Sequence, residues 1–204
     1  MSNLKYFRIL IILTTLIHQN LANSSTINCD FKKFGSAYQC VVKNVEIFKT
    51  KNTLTDAIGS HDGLKTNDDV SWIIISHGII NKFPAGIDKI FKNLEGIRIT
   101  NMDLKSVNQE DLKAIKKLKF LNLSSNKITR IDANLFQFNP QLEHISLSNN
   151  EISHIDPQAF SGLKSLNQLF LRGNKCKNKL LLRSAEDKEQ VRKLIRDIEA
   201  GNCE

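Results

Sequence analysis

The chain has 204 residues, 41% of them hydrophobic, and its 29 Lys and Arg against 21 Asp and Glu give a formal net charge of +8. That length corresponds to about one domain of 100 to 200 residues. No apolar run reaches the roughly 20 residues that a membrane-spanning helix requires, so no membrane anchor is expected.

Residues 1–22 have the anatomy of a secretory signal peptide. Lys5 and Arg8 precede the largely apolar run from Ile9 to Ile17, and a polar stretch then ends at Leu21-Ala22. A secreted, extracellular product follows, and removal of Lys5 and Arg8 takes the formal charge from +8 to +6. Asn23-Ser24-Ser25 places an N-glycosylation sequon on Asn23, at the expected mature terminus. Four cysteines in a secreted chain fit two disulfides, which allow three connectivities. Cys29 and Cys40 lie before the patterned part of the chain and Cys176 and Cys203 close it, so one bond is expected within each flank. Neither pair has the short C-x-x-C type of spacing that zinc sites use, and no metal is expected.

Residues 23–69 read as an N-terminal cap with a polar insertion. Phe31, Phe34, Tyr38, Val41, Val42, Val45 and Ile47 supply the apolar side chains of a short hairpin. From Lys49 to Asp69 the chain is polar, with Gly59, Asp62 and Gly63, and ends in Asn67-Asp68-Asp69. It reads as a solvated connector with a short helical turn, or as a binding loop, since long loops are often functional.

From Val70 onward apolar residues recur every 24 positions. The first position of each unit is Val70, Leu94, Leu118, Leu142 and Leu166; the fourth is Ile73, Ile97, Leu121, Ile145 and Leu169. The sixth is Ile75, Ile99, Leu123, Leu147 and Leu171, and the eleventh Ile80, Leu104, Ile128, Ile152 and Cys176. The ninth is Asn126, Asn150 and Asn174 in the last three units but Gly78 and Met102 in the first two. In Phe120-Leu121-Asn122-Leu123, residues 121 and 123 share one face of a strand and 120 and 122 the other. One unit has nothing to bury its apolar face against. Stacked units bury it on return-segment residues such as Ile128, Ile131 and Phe136 and their equivalents Ile152, Ile155 and Phe160. The stacked asparagines are expected to bond backbone groups at the turn leaving each strand, as a structural ladder.

L-x-x-L-x-L-x-x-N-x-L resembles the leucine-rich repeat family over about half the chain. The resemblance implies an α/β fold: a solenoid with a curved parallel β-sheet, one short strand per repeat, used mostly to bind other molecules. On this reading residues 70–175 are five leucine-rich repeats, the last one partial. A solenoid has two exposed apolar ends, so the flanks should cap it: a disulfide hairpin before the repeats, and a helical disulfide cap over 176–204 after them. Ser184 with Asp187 reads as the helix start, Val191, Leu194, Ile195 and Ile198 fall on one helical face, and Gly201 would end the helix.

The outward strand positions form a strip: Trp72, Ile74, Ser76; Gly96, Arg98, Thr100; Phe120, Asn122, Ser124; His144, Ser146, Ser148; Gln168, Phe170, Arg172. Aromatics and arginines are over-represented among binding hot spots, so Trp72, Ile74, Arg98, Phe120, His144, Phe170 and Arg172 are the expected contacts to an extracellular protein partner. The sheet patch itself is about 300 Å² against roughly 800 Å² per partner for a standard interface, so flanking loops must contribute. Asn122-Leu123-Ser124 is a second sequon, and a glycan on Asn122 would crowd the strip.

Lys113, Lys116, Lys117 and Lys119, and a second set that includes Lys175, Lys177, Lys179, Arg183, Lys188, Arg192, Lys193 and Arg196, give the alternative of a glycan or microbial-surface binder, with acidic glycans as ligand. Nucleic acid is disfavoured by compartment and by the lack of a recognised binding module. His61, His77, His144 and His154 stand in no zinc or nucleophile motif, so neither an enzyme nor a cofactor is expected. Asp132 and Asp156 recur at the fifteenth position and read as turn residues.

Overall fold

A computed structural model describes residues 25–45, 53–176, 183–201 and 203. The signal peptide, Asn23, Ile47, the start of the insertion, Lys177 and Lys179 lie outside the described residues.

Alternating burial builds the N-terminal hairpin. In β1 (Thr26–Phe34) Ile27, Cys29 and Phe31 are buried, and in β2 (Ala37–Val42) Tyr38, Cys40 and Val42 are. The two strands pair antiparallel around Gly35, whose φ of 59° is a conformation that glycine adopts without steric cost. The Cys29–Cys40 disulfide cross-links them. Phe34 departs from the expected hairpin core: it is 74% exposed because it stands beside the turn, paired with Ala37 and beyond the reach of the solenoid.

The insertion is more than a connector. Residues 56–58 form β3 (Asp56–Ile58), which pairs parallel with β1 and becomes the edge of the sheet, and Leu54 and Ala57 are buried. Asn67 Nδ2 donates to the Ala57 carbonyl across 3.2 Å, so the segment supplies its own partner on this edge strand. The Asn67–Asp69 turn is capped reciprocally by Thr66 and Asp69.

The repeats contribute β4 (Trp72–Ser76), β5 (Gly96–Thr100), β6 (Phe120–Asn122), β7 (Arg130–Ile131), β8 (His144–Ser146), β9 (His154–Ile155) and β10 (Gln168–Phe170). Pairing within the main sheet is parallel and in register with the 24-residue period, as in Trp72 with Gly96, Gly96 with Phe120 and Phe120 with His144. The hairpin joins through β2, which pairs parallel with β4, as expected of a cap on the first repeat. β11 (Ser184–Ala185) closes the far end antiparallel to β10, giving the order β3-β1-β2-β4-β5-β6-β8-β10-β11. On the return side β7 pairs with β9, and Phe136 stacks on Phe160 with centroids 5.6 Å apart.

The residues at the first, fourth, sixth and eleventh positions of all five units are buried. Each fully buried Leu or Ile contributes about 1.5 to 3 kcal/mol relative to exposure, and one repeat gains it only because the next covers it. The asparagine ladder forms as expected. Asn150 Oδ1 accepts from Ile128 N (3.1 Å), and its Nδ2 donates to the Leu123 and Leu147 carbonyls (2.9 and 3.0 Å); Asn126 and Asn174 repeat this pattern. In the first two units the position is apolar and closed: a Cβ on Gly78 would fall 2.7 Å from Val45 Cγ2, and Met102 is buried. The preceding residue is left-handed in every unit: His77, Asn101, Ser125, Asn149 and Gly173 have φ between 56° and 71°.

The C-terminal helix runs over Lys188–Ala200, with Val191, Leu194 and Ile198 buried and Ile195 partly so. It begins three residues later than the Ser184 reading. Asp187 is the N-cap, accepting from Glu189 N and Gln190 N, because Ser184 is committed to β11. Gly201 ends the helix with an extended φ of −137°, so no left-handed cap forms there. The Cys176–Cys203 disulfide ties this cap to the last repeat.

Candidate binding face

Strand alternation turns the third and fifth positions of each repeat away from the core, and the structure brings their aromatic members into one chain of ring contacts. Trp72 and Phe120 have ring centroids 5.3 Å apart, Phe120 and His144 6.2 Å, and His144 and Phe170 5.2 Å. All four are half-buried. Trp72 reaches Phe120 across two strands because the residue between them is Gly96: a Cβ there would lie 2.2 Å from the indole Cδ2. Further along, His144 Nδ1 donates to Gln168 Oε1 (2.7 Å), and the hydroxyls of Ser124 and Ser146 meet at 2.6 Å. Ile74, Arg98, Asn122 and Ser146 form the adjacent row. Arg98 and Arg172 are exposed. Asn122 Oδ1 accepts from Ser124 N at 3.0 Å, so the second sequon sits in the middle of the face.

These rows do not end at the first repeat. A groove of about 980 Å³ runs between the hairpin and the strip, bounded by Tyr38, Val41, Trp72, Ile74, Arg98 and Phe120. Lys65 and Asp69 bring the insertion to its rim. Lys65 Nζ lies 4.0 Å over the Tyr38 ring, and the Tyr38 hydroxyl meets His61 Nδ1 at 3.1 Å while His61 stacks on Phe31. The repeat register could not supply these residues, since they precede it; the length and lack of pattern of the insertion were the only signal.

Charge is arranged differently along the sides of the solenoid, where cations meet acids one repeat away. Lys119 pairs with Glu95 (3.2 Å), Lys127 with Asp103 (2.8 Å) and Lys175 with Glu151 (2.6 Å). The hydrogen bond from Lys175 and its charge hold the Glu151 carboxyl below its usual range. Burial raises that of Asp111, although Asn108 N donates to it. In the first basic cluster Lys113 pairs with Glu110 and Lys119 with Glu95, while Lys117 donates to the neutral amide of Asn93 and keeps its charge. In the second, Lys188, Arg192 and Arg196 line a groove of about 480 Å³ with Lys164, and none of these four has an ion pair among the described residues.

The family model for the leucine rich repeat matches residues 92–145 and 116–175. This chain is a leucine-rich repeat protein. A chain in the structure of the Toll–Spatzle complex, a molecular hub in Drosophila development and innate immunity, is similar to it with a TM-score of 0.50 at 17% identity. The match covers 59% of this chain and 17% of that one, and it shows a shared fold. No curated protein matches the sequence. Among the described residues of the leucine-rich repeat protein, no helix is long and apolar enough to cross a membrane. Nor do three His, Cys, Asp or Glu residues gather there as metal ligands. Asp156 Oδ1 accepts from Gln158 N (2.8 Å), a turn role at the fifteenth position.

Proposed function

We propose that this protein is a secreted, non-enzymatic recognition module that binds an extracellular protein partner through the concave strip and the hairpin-side groove. The aromatic row carries the reading: Trp72, Phe120, His144 and Phe170 pack on one another on the face that the core does not use. Aromatic side chains that stay half-exposed in a contiguous row are the usual anchors of protein interfaces. The groove widens the patch beyond the bare sheet, toward the area a stable complex needs. Two disulfides favour an oxidising compartment, which supports secretion. Family resemblance extends the reading to innate recognition, adhesion or regulation of a larger receptor.

The test is capture from extracellular fluid at moderate salt by the wild type and by a Trp72→Ala, Phe120→Ala, Phe170→Ala variant. A protein held by the first and released by the second is the expected result; equal capture by both overturns the reading. The reading also requires Asn122 to be bare. Deglycosylating an Asn23→Gln variant should therefore leave its mass unchanged.

A second reading has its own observation. The free cations Lys164, Lys188, Arg192 and Arg196 around the C-terminal groove suit an acidic glycan. Charge-led binding of that kind collapses between low and moderate salt, whereas binding led by aromatics persists.

A further inference from the structure

The hairpin-side groove holds five charged side chains, and four are already engaged. Lys32 approaches Asp30 (3.9 Å), Lys65 lies over the Tyr38 ring, Asp69 accepts from Thr66 N (2.8 Å), and Glu95 pairs with Lys119 (3.2 Å). The fifth is Arg98. It is exposed, and it has no ion pair or hydrogen bond to any described residue through its side chain. Its neighbours in register are Ile74 and Asn122, neither of them an acid, and no position of the outward strip carries Asp or Glu. Lys119, Lys127 and Lys175 on the side of the solenoid each find a carboxylate one repeat away; Arg98, on the face, is offered none. Beside it stand the Trp72 and Phe120 rings, with Ile74 and Val41.

We infer that this groove takes a peptide segment of the partner that seats an apolar or aromatic side chain against Trp72 and Phe120 and sets a carboxylate on the guanidinium of Arg98. The inference rests on the concave-face reading and adds the chemistry of the occupant. A guanidinium offers a planar fork of donors that matches a carboxylate with two parallel hydrogen bonds. The volume, about 980 Å³, lies at the upper end of the roughly 300 to 1,000 Å³ of small-ligand pockets and accommodates a short peptide run. A purely polyanionic chain would leave the aromatic wall unused. A second copy of this chain is an unfavourable occupant, since each carries a formal charge of +6 once Lys5 and Arg8 are removed with the signal peptide.

The chain's single tryptophan is Trp72, so its emission reports the groove directly. The probes are a random Glu–Tyr copolymer, a Lys–Tyr copolymer and polyglutamate, titrated at moderate salt with excitation selective for tryptophan. The Glu–Tyr copolymer should bind the wild type about tenfold or more tighter than either control and shift the Trp72 emission, and Arg98→Gln should weaken that binding about tenfold. Arg98→Glu should reverse the preference toward the Lys–Tyr copolymer, a gain that misfolding cannot produce. Equal binding of Glu–Tyr by the wild type and Arg98→Gln, or equal binding of polyglutamate, overturns the inference. If Arg98→Gln binds Glu–Tyr as the wild type does while a Phe120→Ala, Phe170→Ala variant, which keeps the Trp72 reporter, fails to bind, the acidic contact alone falls and the face survives. If both variants bind as the wild type does, the face falls with it.

Discussion

The turn that leaves each strand and the strip that the strands display have the same 24-residue period, and their chemistry diverges. At the turn, the left-handed residue recurs in all five units and the asparagine behind it in three. On the strip, the third position passes from Trp72 through Gly96, Phe120 and His144 to Gln168. The left-handed turn recurs whatever the residue that adopts it, and in the last three units the same asparagine satisfies the backbone groups the turn leaves. A strip residue packs on no core and is free to differ. Constancy at repeat spacing therefore marks what holds the solenoid together, and variation marks where it can be specific.

The sharpest way to break this contrast is Asn150→Ala. Asn150 is buried, and its loss orphans the Ile128 N–H and takes one of two amide donors from each of the Leu123 and Leu147 carbonyls, which keep Asn126 and Asn174 respectively. The variant should lose about 2 to 3 kcal/mol in chemical denaturation, since one buried group left without a partner costs about 1 to 3 kcal/mol and the two weakened carbonyls add to it. A loss under about 0.5 kcal/mol, the range of ordinary surface substitutions, would mean the ladder is not structural.

Gly96→Ala comes next, at a strip position where a neighbouring side chain restricts the choice of residue. Its new Cβ would meet the indole at 2.2 Å, so Trp72 must swing away from Phe120. We expect about 2 kcal/mol of destabilisation from the overpacking, with a red-shifted tryptophan emission. Unchanged emission would show that Trp72 does not lie across the glycine. Arg98→Gln should do the opposite of Asn150→Ala: stability within about 0.5 kcal/mol of wild type by denaturation, as for an exposed side chain without partners. A larger loss would give Arg98 a structural role.

The contrast also explains what was legible. Positions one, four, six and eleven could be read because burial repeats, and Asn126, Asn150 and Asn174 because their hydrogen bonds do. The strip residues could be placed by alternation alone, but their contacts could not: that Trp72 crosses Gly96 to reach Phe120 depends on the lateral spacing of strands. The left-handed eighth position escaped notice because His77, Asn101, Ser125, Asn149 and Gly173 share a dihedral angle and no hydropathy. Strand β3 and the Lys65–Tyr38 contact belong to a segment without period. Its apolar Leu54, Ala57, Ile58 and Leu64 follow no alternation that announces a strand, and pairing with β1 forms it. The Ser184 helix start failed because the same residue also suits a strand, and pairing with β10 decided the matter.

The smallest expected effect concerns the pairs along the side of the solenoid. Lys175 bonds the Glu151 carboxylate at 2.6 Å and lowers its affinity for protons below that of the unfolded chain, whose reference value is 4.5. The unfolded state then binds protons more readily than the folded one around and below that pH, so the pair's contribution is fully present above about 4.5 and fades as the folded carboxylate takes up its proton. Both side chains are open to solvent, and screening keeps the contribution slight. Urea midpoints of wild type and Lys175→Met should differ slightly at neutral pH and low salt, and the gap should close on acidification and on adding salt. A gap that survives both would mean that Lys175 acts through the packing of its alkyl chain. Charge would then no longer distinguish the sides of the solenoid from its face, and the unpaired state of Arg98 would lose its contrast.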